Sequence, residues 1–412
     1  MRRSALAEIS SADRRTPRCL DDLRVVLQKC NGDVAAVRVE GGNTLSGMGS
    51  SGRADIVLST AALDRLIAHE VHDLTCATES GMRLSALRSA LAQARQFVPL
   101  DAPLPNKATV GGTVAAGWLG PRRHLFGRPR DLLIGSEAVL ADGTLVHSGG
   151  MVVKNVTGYD MSRMYAGSFG TLAVLTRLNF KTLTMPPRRR VLLARLPEAT
   201  REGAVVQLSS LPFSASAVAF VEGFRKDIDG MDGVDGRTII LLEGSDALVD
   251  RQTRDLRTAL GRAGVPETVI ADAGAMEIFG RLVDAPVAAL GRRSLTYRSL
   301  GDPSSACERA VHVRDAANAR QLFTDVLLDP INGDVFVRVS DRDSRTFARK
   351  IEECHNHIRR IDPHSAIVAG DAAVRETLGA WGASPSSAAY MQRMKDRFDP
   401  NNILNPGRFI VG

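Results

Sequence analysis

Aromatic residues and cysteine pairs are both scarce in this sequence. Only 5% of the 412 residues are aromatic, and the five cysteines are scattered with no C-x-x-C pair among them. So few aromatic side chains leave no visible stacking platform for nucleic acid. Unpaired, scattered cysteines argue against a disulfide scaffold and against an iron–sulfur protein, and they predict a reduced, cytosolic environment.

Long apolar runs are absent as well. No stretch approaches the ~20 residues that a membrane-spanning helix requires. Residues 1–18 are basic and rich in serine and arginine, but they lack the apolar core of a secretory signal. We interpret them as a disordered tail, with a transit peptide as the alternative. We expect a cytoplasmic protein with no direct membrane insertion, whose contact with the inner membrane, if any, is peripheral and made through partners.

The charge and the length set two further bounds. The net charge is +7 and the isoelectric point is near 9.4, which favours anionic ligands or an acidic partner surface. The arginines are dispersed along the chain rather than clustered, so we predict no nucleic-acid binding. A chain of 412 residues exceeds what one hydrophobic core usually supports, which predicts two domains.

Apolar patterns predict short strands and one amphipathic helix in the first part of the chain. Leu84, Leu87 and Leu91 recur at helical spacing and predict a helix over 84–96. The Ala-Asp-Gly sequence at 141–143 predicts a hairpin turn. The predicted strands are 34–39, 55–58, 74–78, 132–140, 144–148 and 171–182.

The proline- and arginine-rich segment 185–190 is interpreted as a linker. Beyond it, strands alternate with long helical stretches, which predicts a second domain of the α+β class. A last helix over 386–397 is expected to stop at Asp399 and Pro400. The other elements predicted here are strands 238–242 and 335–339 and helices 247–263 and 343–360.

Two glycine-rich segments follow the first predicted strand. Residues 47–52, GMGSSG, satisfy G-x-G-x-x-G. That motif binds a dinucleotide only where a helix follows it, and a strand pattern follows it here. Residues 41–44, GGNT, are the better candidate, because successive small residues can direct several backbone N–H groups at an anion. The alternative for this loop is a plain turn between strands.

Residues 108–181 join several glycine-dependent features. ATVGG at 108–112 and GSFG at 167–170 would let backbone approach a ligand closely. Basic residues are interleaved with these turns, which predicts a large, phosphate-bearing ligand. The alternatives are plain turns, helix-packing glycines at 111 and 112, and a solvated arginine pair at 122 and 123. The interleaved basic residues are Arg122, Arg123, Arg130 and Lys154.

These segments resemble the FAD-binding half of the vanillyl-alcohol oxidase (PCMH-type) flavoproteins. The matching segments are ATVGG at 108–112, GYD at 158–160 with GSFGTLAV at 167–174, and FDPNNILNPGR at 398–408. More narrowly, GPRR, GRPRD and VKNVTGYDMSRM resemble the FAD-binding small subunits of bacterial glycolate oxidases. The resemblance is nearly absent from 187 to 390.

The resemblance implies an α+β fold with a PCMH-type FAD-binding domain of two α/β subdomains at 18–186. A cap-like α+β domain follows at 187–385, and residues 386–412 return to the FAD domain. It also implies non-covalent FAD, because the first glycine loop lacks the histidine that usually tethers flavin in this family. The implied FAD contacts are Gly41, Gly42, Asn43, Thr44, Ser46, Ala108, Thr109, Val110, Gly111, Gly112, Lys154, Gly158, Gly167, Ser168, Gly170, Thr171 and Arg408.

Few residues qualify for catalysis. Glu40 departs from the family, and an acidic side chain beside phosphates is unfavourable unless it points away. Lys154 is a candidate for stabilising reduced flavin, with a salt bridge to Asp160 as the alternative. Lys154 or Arg163 would meet a substrate carboxylate. His124 is the one candidate base in the FAD half, and a surface role fits it equally well.

The sequence around Cys354, His355 and His357 invites a metal assignment. Cys354 and His357 are expected to share a helix face, but two ligands do not complete a zinc site. We predict a solvated helix face and no metal. The histidine-rich metal motif common in related 2-hydroxy-acid dehydrogenases has no counterpart here.

The implied reaction is oxidation of glycolate or a similar 2-hydroxy acid to the 2-oxo acid, with hydride passing to flavin. The implied partners are a larger FAD-binding subunit and an iron–sulfur subunit that takes the electrons. The alternatives are a stand-alone FAD-dependent dehydrogenase and a structural subunit that has lost FAD. We predict little activity for the isolated chain. We also predict that Gly112→Val gives a folded protein with little FAD.

Overall fold

The computed structural model describes residues 13–50, 52–152, 158–196, 214–224, 236–262, 264–265, 268–288 and 293–412. The strands are β1 (Asp13–Arg15), β2 (Val37–Glu40), β3 (Ile56–Ser59), β4 (Leu66–Glu70), β5 (Thr75–Glu79), β6 (Gln96–Phe97), β7 (Leu133–Val139), β8 (Leu145–Gly149), β9 (Val174–Lys181), β10 (Leu183–Thr184), β11 (Arg188–Leu196), β12 (Ala217–Glu222), β13 (Gly236–Gly244), β14 (Thr268–Ala271), β15 (Ser294–Leu300), β16 (Phe323–Asp329), β17 (Asp334–Ser340) and β18 (Ala366–Gly370). The helices are α1 (Leu20–Gly32), α2 (Leu84–Ala92), α3 (Val110–Ala116), α4 (Arg123–Phe126), α5 (Pro129–Leu132), α6 (Met161–Tyr165), α7 (Asp246–Arg262), α8 (Ala275–Asp284), α9 (Ala306–Asn318), α10 (Ser344–Ile361), α11 (Ala372–Leu378) and α12 (Ala388–Phe398).

The chain divides into two compact units. The first comprises residues 1–120, 127–185 and 384–412, and the second comprises 121–126 and 186–383. The boundaries near 185 and 384 lie close to the predicted domain boundaries. The short segment 121–126 differs from the prediction, which kept it in the first domain.

A parallel three-stranded sheet in the order β1-β3-β2 forms one part of the first unit. Val37 of β2 also pairs in parallel with Leu404, so the C-terminal segment extends this sheet. Helix α1 contributes Leu23 and Leu27 to the core beneath the sheet, where they pack with Val37, Leu58 and Leu404. These buried leucines follow the helical spacing that an amphipathic helix requires.

An antiparallel sheet in the order β4-β5-β9-β7-β8 forms the other part of the first unit. Strands β7 and β8 make the predicted hairpin, with Gly143 at φ +81° in its turn. Helix α2 begins at the predicted residue but ends at Ala92 rather than 96. Arg95 adopts φ +53°, a left-handed conformation that a helix cannot continue through, and residues 96–97 pair as β6 with β10.

An antiparallel eight-stranded sheet, in the order β14-β11-β13-β12-β16-β17-β15-β18, forms the second unit. Helices α7, α9 and α10 bury one apolar face each in the core of this unit, as the predicted α+β pattern requires. Their core residues include Val249, Leu256, Val313, Ile351 and Ile358. Within the described residues, no helix is long and apolar enough to cross a membrane.

The prediction that residues 185–190 form a linker was wrong in its second half. Strand β11 begins at Arg188 and pairs with β13 and β14. Arg190 lies 8% exposed in this strand and pairs with Asp250 and Asp272 at 2.8 and 2.6 Å. Because acidic partners from distant helices and strands neutralise it, an arginine that suggested solvent exposure is held inside the unit.

Candidate functional site

An open cleft in the first unit collects most of the predicted contacts. Its cavity volume is about 120 Å³, and it opens to solvent. Its walls come from the ends of β2 and β5, from helix α3 and from the turn before β9. The predicted contacts that line it are Gly41, Gly42, Asn43, Thr44, Ser46, Thr109, Gly111, Gly112, Gly170 and Arg408.

The loop after β2 presents backbone donors to this cleft. Asn43 adopts φ +55°, so the chain reverses tightly there. Within the described residues, the N–H groups of Gly42, Asn43 and Thr44 donate no hydrogen bond. Successive free N–H groups in a turn form a concave site for an anion. The loop therefore fits the phosphate groups of a dinucleotide.

The glycines in these loops are required by protein packing. A Cβ at Gly42 would lie 1.7 Å from the Lys107 carbonyl oxygen, and one at Gly111 would lie 2.5 Å from the Ser80 Cβ. Packing against Ser80 alone is sufficient to require glycine at 111. Glycine at these positions lets the walls of the cleft approach one another.

Gly112 is the more tolerant of the two glycines in α3. A Cβ there would meet only the Thr109 Oγ1, at 2.9 Å. Thr109 caps the helix, and its side chain accepts a hydrogen bond from the Gly112 N–H. The helix-packing alternative for Gly111 is correct, whereas Gly112 has more room.

In the turn at 167–171, some residues line the cleft, whereas others only contact the protein around it. Phe169 and Gly170 line the cleft. Gly167 lies against Gly117, and a Cβ added at Gly117 would lie 2.8 Å from the Gly167 Cα. The predicted contacts Gly167, Ser168 and Thr171 do not line the cleft. Ser168 and Thr171 instead bond to each other within the turn.

Four other predicted contacts are also placed away from the cleft lining or cannot be placed. Ala108 and Val110 are buried, and their backbone groups bond to Leu84 and Met82. Gly158 is exposed, with nothing within 4 Å of a Cβ. Lys154 lies outside the described residues.

Glu40 points at arginines rather than at the loop that would hold phosphate. Its carboxylate lies 2.7 Å from the Arg14 Nη2 and 2.8 Å from the Arg38 Nε. Glu40 is 7% exposed, and the two guanidinium groups neutralise its charge. The concern raised by an acidic residue beside the loop is therefore removed by these two ion pairs.

Several residues that line the cleft were not among the predicted contacts, and two of them have polar side chains that bear directly on the site. Ser80 lines the cleft, is 1% exposed, and its Oγ has no hydrogen-bond partner. Asn405 accepts from the Val39 N–H at 2.8 Å and donates to the Phe169 carbonyl at 2.7 Å. Asn405 lies within a recognised motif, which is the signal that could have found it. Ser80 has no motif, and only its place two residues after a predicted strand hinted at a role.

Arg408 binds the backbone of the segment that follows the loop at 41–44. Its guanidinium donates to the carbonyl groups of Leu45, Ser46 and Ser50 at 3.1 to 3.3 Å. Residues 404–408 thus support two walls of the cleft. An unsatisfied buried hydroxyl and free backbone donors along an open cleft together fit FAD.

The segment 121–126 belongs to the second unit and carries three predicted candidates. Arg122 is 5% exposed and pairs with both oxygens of Glu243. Arg123 pairs with Asp334 at 2.6 Å. Neither a solvated pair nor a phosphate contact describes these arginines, which are internal to the second unit.

His124 makes contacts that suit a structural role. Its Nε2 lies 2.7 Å from the Ala215 carbonyl oxygen, so this nitrogen carries the proton and donates. Its Nδ1 lies 3.3 Å from a second carbonyl, that of Pro121. Both ring nitrogens of His124 thus lie close to carbonyl groups of the second unit, which gives no support to His124 as the base.

The residues of the metal alternative differ in burial along α10. Cys354 is fully buried, whereas His357, one helical turn away, is exposed. His355 is 5% exposed and bonds to the Tyr297 hydroxyl and the Arg359 Nε. Within the described residues, no cluster of three potential metal ligands is present. The predicted solvated face holds for His357 alone.

Burial should make the second unit sensitive to acid through His355. Burial, assisted by Arg359, lowers the pKa of His355 to about 4. The unfolded chain binds this proton near its ordinary pKa of about 6.5. His355 therefore makes its full contribution to the free energy of unfolding above about pH 6.5. That free energy falls by up to about 3 kcal/mol as the pH falls towards 4.

Trp381 allows this prediction to be measured in the second unit alone. The chain has two tryptophans, and Trp118→Phe leaves Trp381 as the only reporter. We expect His355→Gln to flatten the pH dependence of the unfolding midpoint. His357→Gln, on the exposed face of the same helix, should leave that dependence intact. Equal pH dependence in both variants would contradict the assignment.

Comparison with known proteins identifies the family. Residues 14–163 match the sequence family described as the FAD binding domain, and residues 370–409 match the FAD linked oxidases, C-terminal domain. The chain is 30% identical over 353 residues to glycolate oxidase subunit GlcE of Escherichia coli (strain K12), covering 84% of this chain and 85% of that protein. The chain belongs to the FAD-linked oxidases. FAD is its cofactor, and it is an FAD-dependent oxidoreductase.

Two further matches place this FAD-linked oxidase among its relatives. It is 24% identical to glycolate oxidase subunit GlcD of Bacillus subtilis (strain 168), covering 96% of this chain and 88% of that protein. It shares its fold with p-cresol methylhydroxylase with a TM-score of 0.73 at 16% identity, covering 97% and 89% of the two chains. The α+β, PCMH-type fold expected for this FAD-linked oxidase is confirmed.

Proposed function

We propose that this chain is the FAD-binding subunit of a glycolate-oxidase complex. The supporting observation is its likeness to GlcE over 85% of that protein, together with a cleft in the first unit that fits FAD. The proposed reaction converts glycolate or a similar 2-hydroxy acid to the 2-oxo acid. The proposed partners are a larger FAD-binding subunit and an iron–sulfur subunit that receives the electrons.

Each wall of the cleft has a separate task in holding the cofactor. The free N–H groups of residues 42–44 would bind the FAD phosphates, and the Ser80 hydroxyl would bond to a polar edge of the ligand. Phe169 supplies apolar surface, and it is itself stacked on Phe409 at 5.3 Å between ring centroids. When bound, FAD supplies the acceptor for the hydride that leaves the alcohol carbon.

We propose that the FAD is held without a covalent bond. Cys76, the cysteine on β5 near the cleft, is fully buried, and burial raises the pKa of its thiol to about 12. A thiol that remains protonated is a poor nucleophile. No histidine is among the described residues that line the cleft.

The cleft supports the proposal that substrate chemistry needs a partner. Its titratable side chains, within the described residues, are Arg38, Glu40 and Arg408. Glu40 is bound by two arginines, and Arg408 by three backbone carbonyls. A base must reach the substrate hydroxyl, and none of these groups is available for that task. A stand-alone dehydrogenase remains the second candidate, and Lys154, its candidate cation, lies outside the described residues.

The test of the proposed function combines cofactor release with turnover. Acid denaturation of the purified chain should leave FAD in the supernatant, and apoprotein should recover it on addition. A colourless protein that takes up no FAD would reveal a structural subunit. A yellow pellet would show a covalent bond.

Turnover separates the remaining two functions. We expect reduction of an electron-accepting dye by glycolate only when the chain is co-purified with a larger flavoprotein and an iron–sulfur subunit. Robust glycolate-dependent dye reduction by the isolated chain would establish a stand-alone dehydrogenase. His124→Ala should not change the rate in either case.

Ser80→Ala should weaken FAD binding about tenfold, since one hydrogen bond contributes about 1 to 1.5 kcal/mol. The Ser80 Oγ has no protein partner, so the FAD-free protein should lose no thermal stability. The measurement is an FAD titration beside melting curves with and without FAD. Ser216→Ala is the matched control, because Ser216 is also a fully buried, unpartnered hydroxyl but lies in the second unit. Equal FAD affinity in both variants would remove Ser80 from the site.

A further inference from the structure

The helix α12 carries a fully enclosed lysine that the cofactor chemistry does not use. Lys395 is 2% exposed. Its ammonium donates to the Thr171 carbonyl at 2.9 Å, to the Leu404 carbonyl at 2.9 Å and to the Asp399 Oδ2 at 2.5 Å. An ammonium has three donors, and all three are used. Lys395 is not among the described residues that line the cleft.

The two carbonyl acceptors belong to two different walls of the cleft. Thr171 directly follows Phe169 and Gly170, which line the cleft, and Leu404 directly precedes Asn405, which lines it too. Asn405 then connects those walls a second time, through its bond to the Phe169 carbonyl. One buried charge therefore fixes the separation of the turn before β9 and the C-terminal segment.

Asp399 completes the arrangement from the other side. It is 1% exposed, and it accepts from the Ile403 N–H at 3.0 Å and the Leu404 N–H at 2.7 Å in addition to Lys395. Burial lowers the pKa of Lys395, and the hydrogen bond that Lys395 donates to Asp399 opposes that effect. The segment 403–404 is thus held at both its N–H groups and one carbonyl.

A buried ion pair such as Lys395–Asp399 contributes little to the free energy of unfolding by itself. Removing two charges from water is costly, and apolar replacements of similar volume are often as stable or more so. What distinguishes the Lys395–Asp399 pair is that its hydrogen bonds are directional. Each one fixes the position of one backbone group. A ligand binds more tightly when its site is already in the binding conformation.

We propose that Lys395, paired with Asp399, is a positioning residue that keeps two walls of the FAD cleft in their binding conformation. It acts through the backbone of 171 and 404 and touches no cofactor. The proposal rests on the proposed FAD cleft of the first unit. It predicts that loss of the pair lowers FAD affinity by lowering the fraction of molecules whose walls are in place.

The experiment compares three variants of the full chain. Lys395→Met removes the ammonium, and the double variant Lys395→Met with Asp399→Asn removes both charges, so that no buried charge is left unpaired. Lys350→Met is the matched control, since Lys350 forms a comparable ion pair with Asp341 in the second unit. FAD dissociation constants are measured by quenching of flavin fluorescence, well below each melting temperature. Amide hydrogen exchange is measured on the FAD-free proteins.

We expect both Lys395 variants to bind FAD about tenfold to a hundredfold more weakly. Exchange should accelerate at residues 168–171 and 403–405 while the rest of the first unit is unchanged. The visible circular dichroism of FAD, at saturation, should weaken because the ring is less firmly held. Lys350→Met should match the wild type in all three measurements.

The proposal is overturned if the double variant folds, binds FAD within about twofold of the wild type and shows unchanged exchange at both segments. A uniform loss of protection across the unit would equally overturn it, since that outcome marks a general contribution to stability. If the wild type itself binds no FAD, the proposed function fails, and the exchange measurement still decides whether Lys395 positions the two walls.

Discussion

Gly42→Ala should reduce FAD affinity about a hundredfold, equivalent to about 3 kcal/mol. The new Cβ would lie 1.7 Å from the Lys107 carbonyl oxygen and 2.5 Å from its carbon. These are backbone atoms that cannot rotate away, so the loop at 41–44 and the segment entering α3 must separate. That movement displaces the three free N–H groups from the phosphates. The measurement is an FAD titration of the apoprotein.

Two other glycine variants serve as controls for the effect of Gly42→Ala on FAD affinity. Gly112→Ala should bind FAD with less than about a tenfold loss, because its Cβ meets only the Thr109 hydroxyl at 2.9 Å. Gly261→Ala, with nothing within 4 Å in helix α7, should leave FAD binding unchanged and slightly raise helix stability. Unaltered FAD affinity in Gly42→Ala would show that the loop does not hold the phosphates.

Glu243→Gln should lower the free energy of unfolding of the second unit by about 3–5 kcal/mol. The Glu243 carboxylate is 1% exposed and lies between the guanidinium groups of Arg122 and Arg189, at 3.1 and 3.0 Å. Glutamine preserves the shape but removes the charge. Two guanidinium groups then face a neutral amide inside the unit, where their mutual repulsion is weakly screened.

Trp381 again reports the second unit once Trp118 is replaced by phenylalanine. Denaturant unfolding of Glu243→Gln should show an earlier transition for this reporter. Segment 121–126 should become more accessible to trypsin, because Arg122 holds it to β13. Glu277→Gln is the control: its exposed pair with Arg281 on α8 is expected to contribute no more than about 0.5 kcal/mol. Equal effects from the two variants would show that the buried pair has no special role.

The sequence predicted the local elements of the site and missed the long-range contacts that shape it. The loop at 41–44 and the ATVGG segment were predicted because glycine leaves a local signal, and the loop and three of the five ATVGG residues line the cleft. The reason for glycine at 42 was not predictable, since Lys107 reaches it only through the fold. Ser80 was missed for the same reason, because a hydroxyl without a partner has no sequence signature.

The arginines show the same limit in the second unit. Arg122, Arg123 and Arg190 lie in segments whose composition is typical of solvent-exposed loops. Each is paired with a carboxylate from a distant part of the chain, at Glu243, Asp334 or Asp272. Apolar periodicity located strands β13 and β17, but it carries no information on which charges will meet across a sheet.

The contact between Asn405 and Val39 has a consequence for biosynthesis. These residues are 366 positions apart, and the whole second unit is encoded between them. During translation, residues 37–46 leave the ribosome long before residues 403–408 exist to close the sheet and support the loop. At ribosomal rates of about 5–20 residues per second, this interval is about 20 to 70 seconds. The nascent first unit therefore keeps this sheet edge open until the C-terminal segment is made, and we expect FAD to bind only after that.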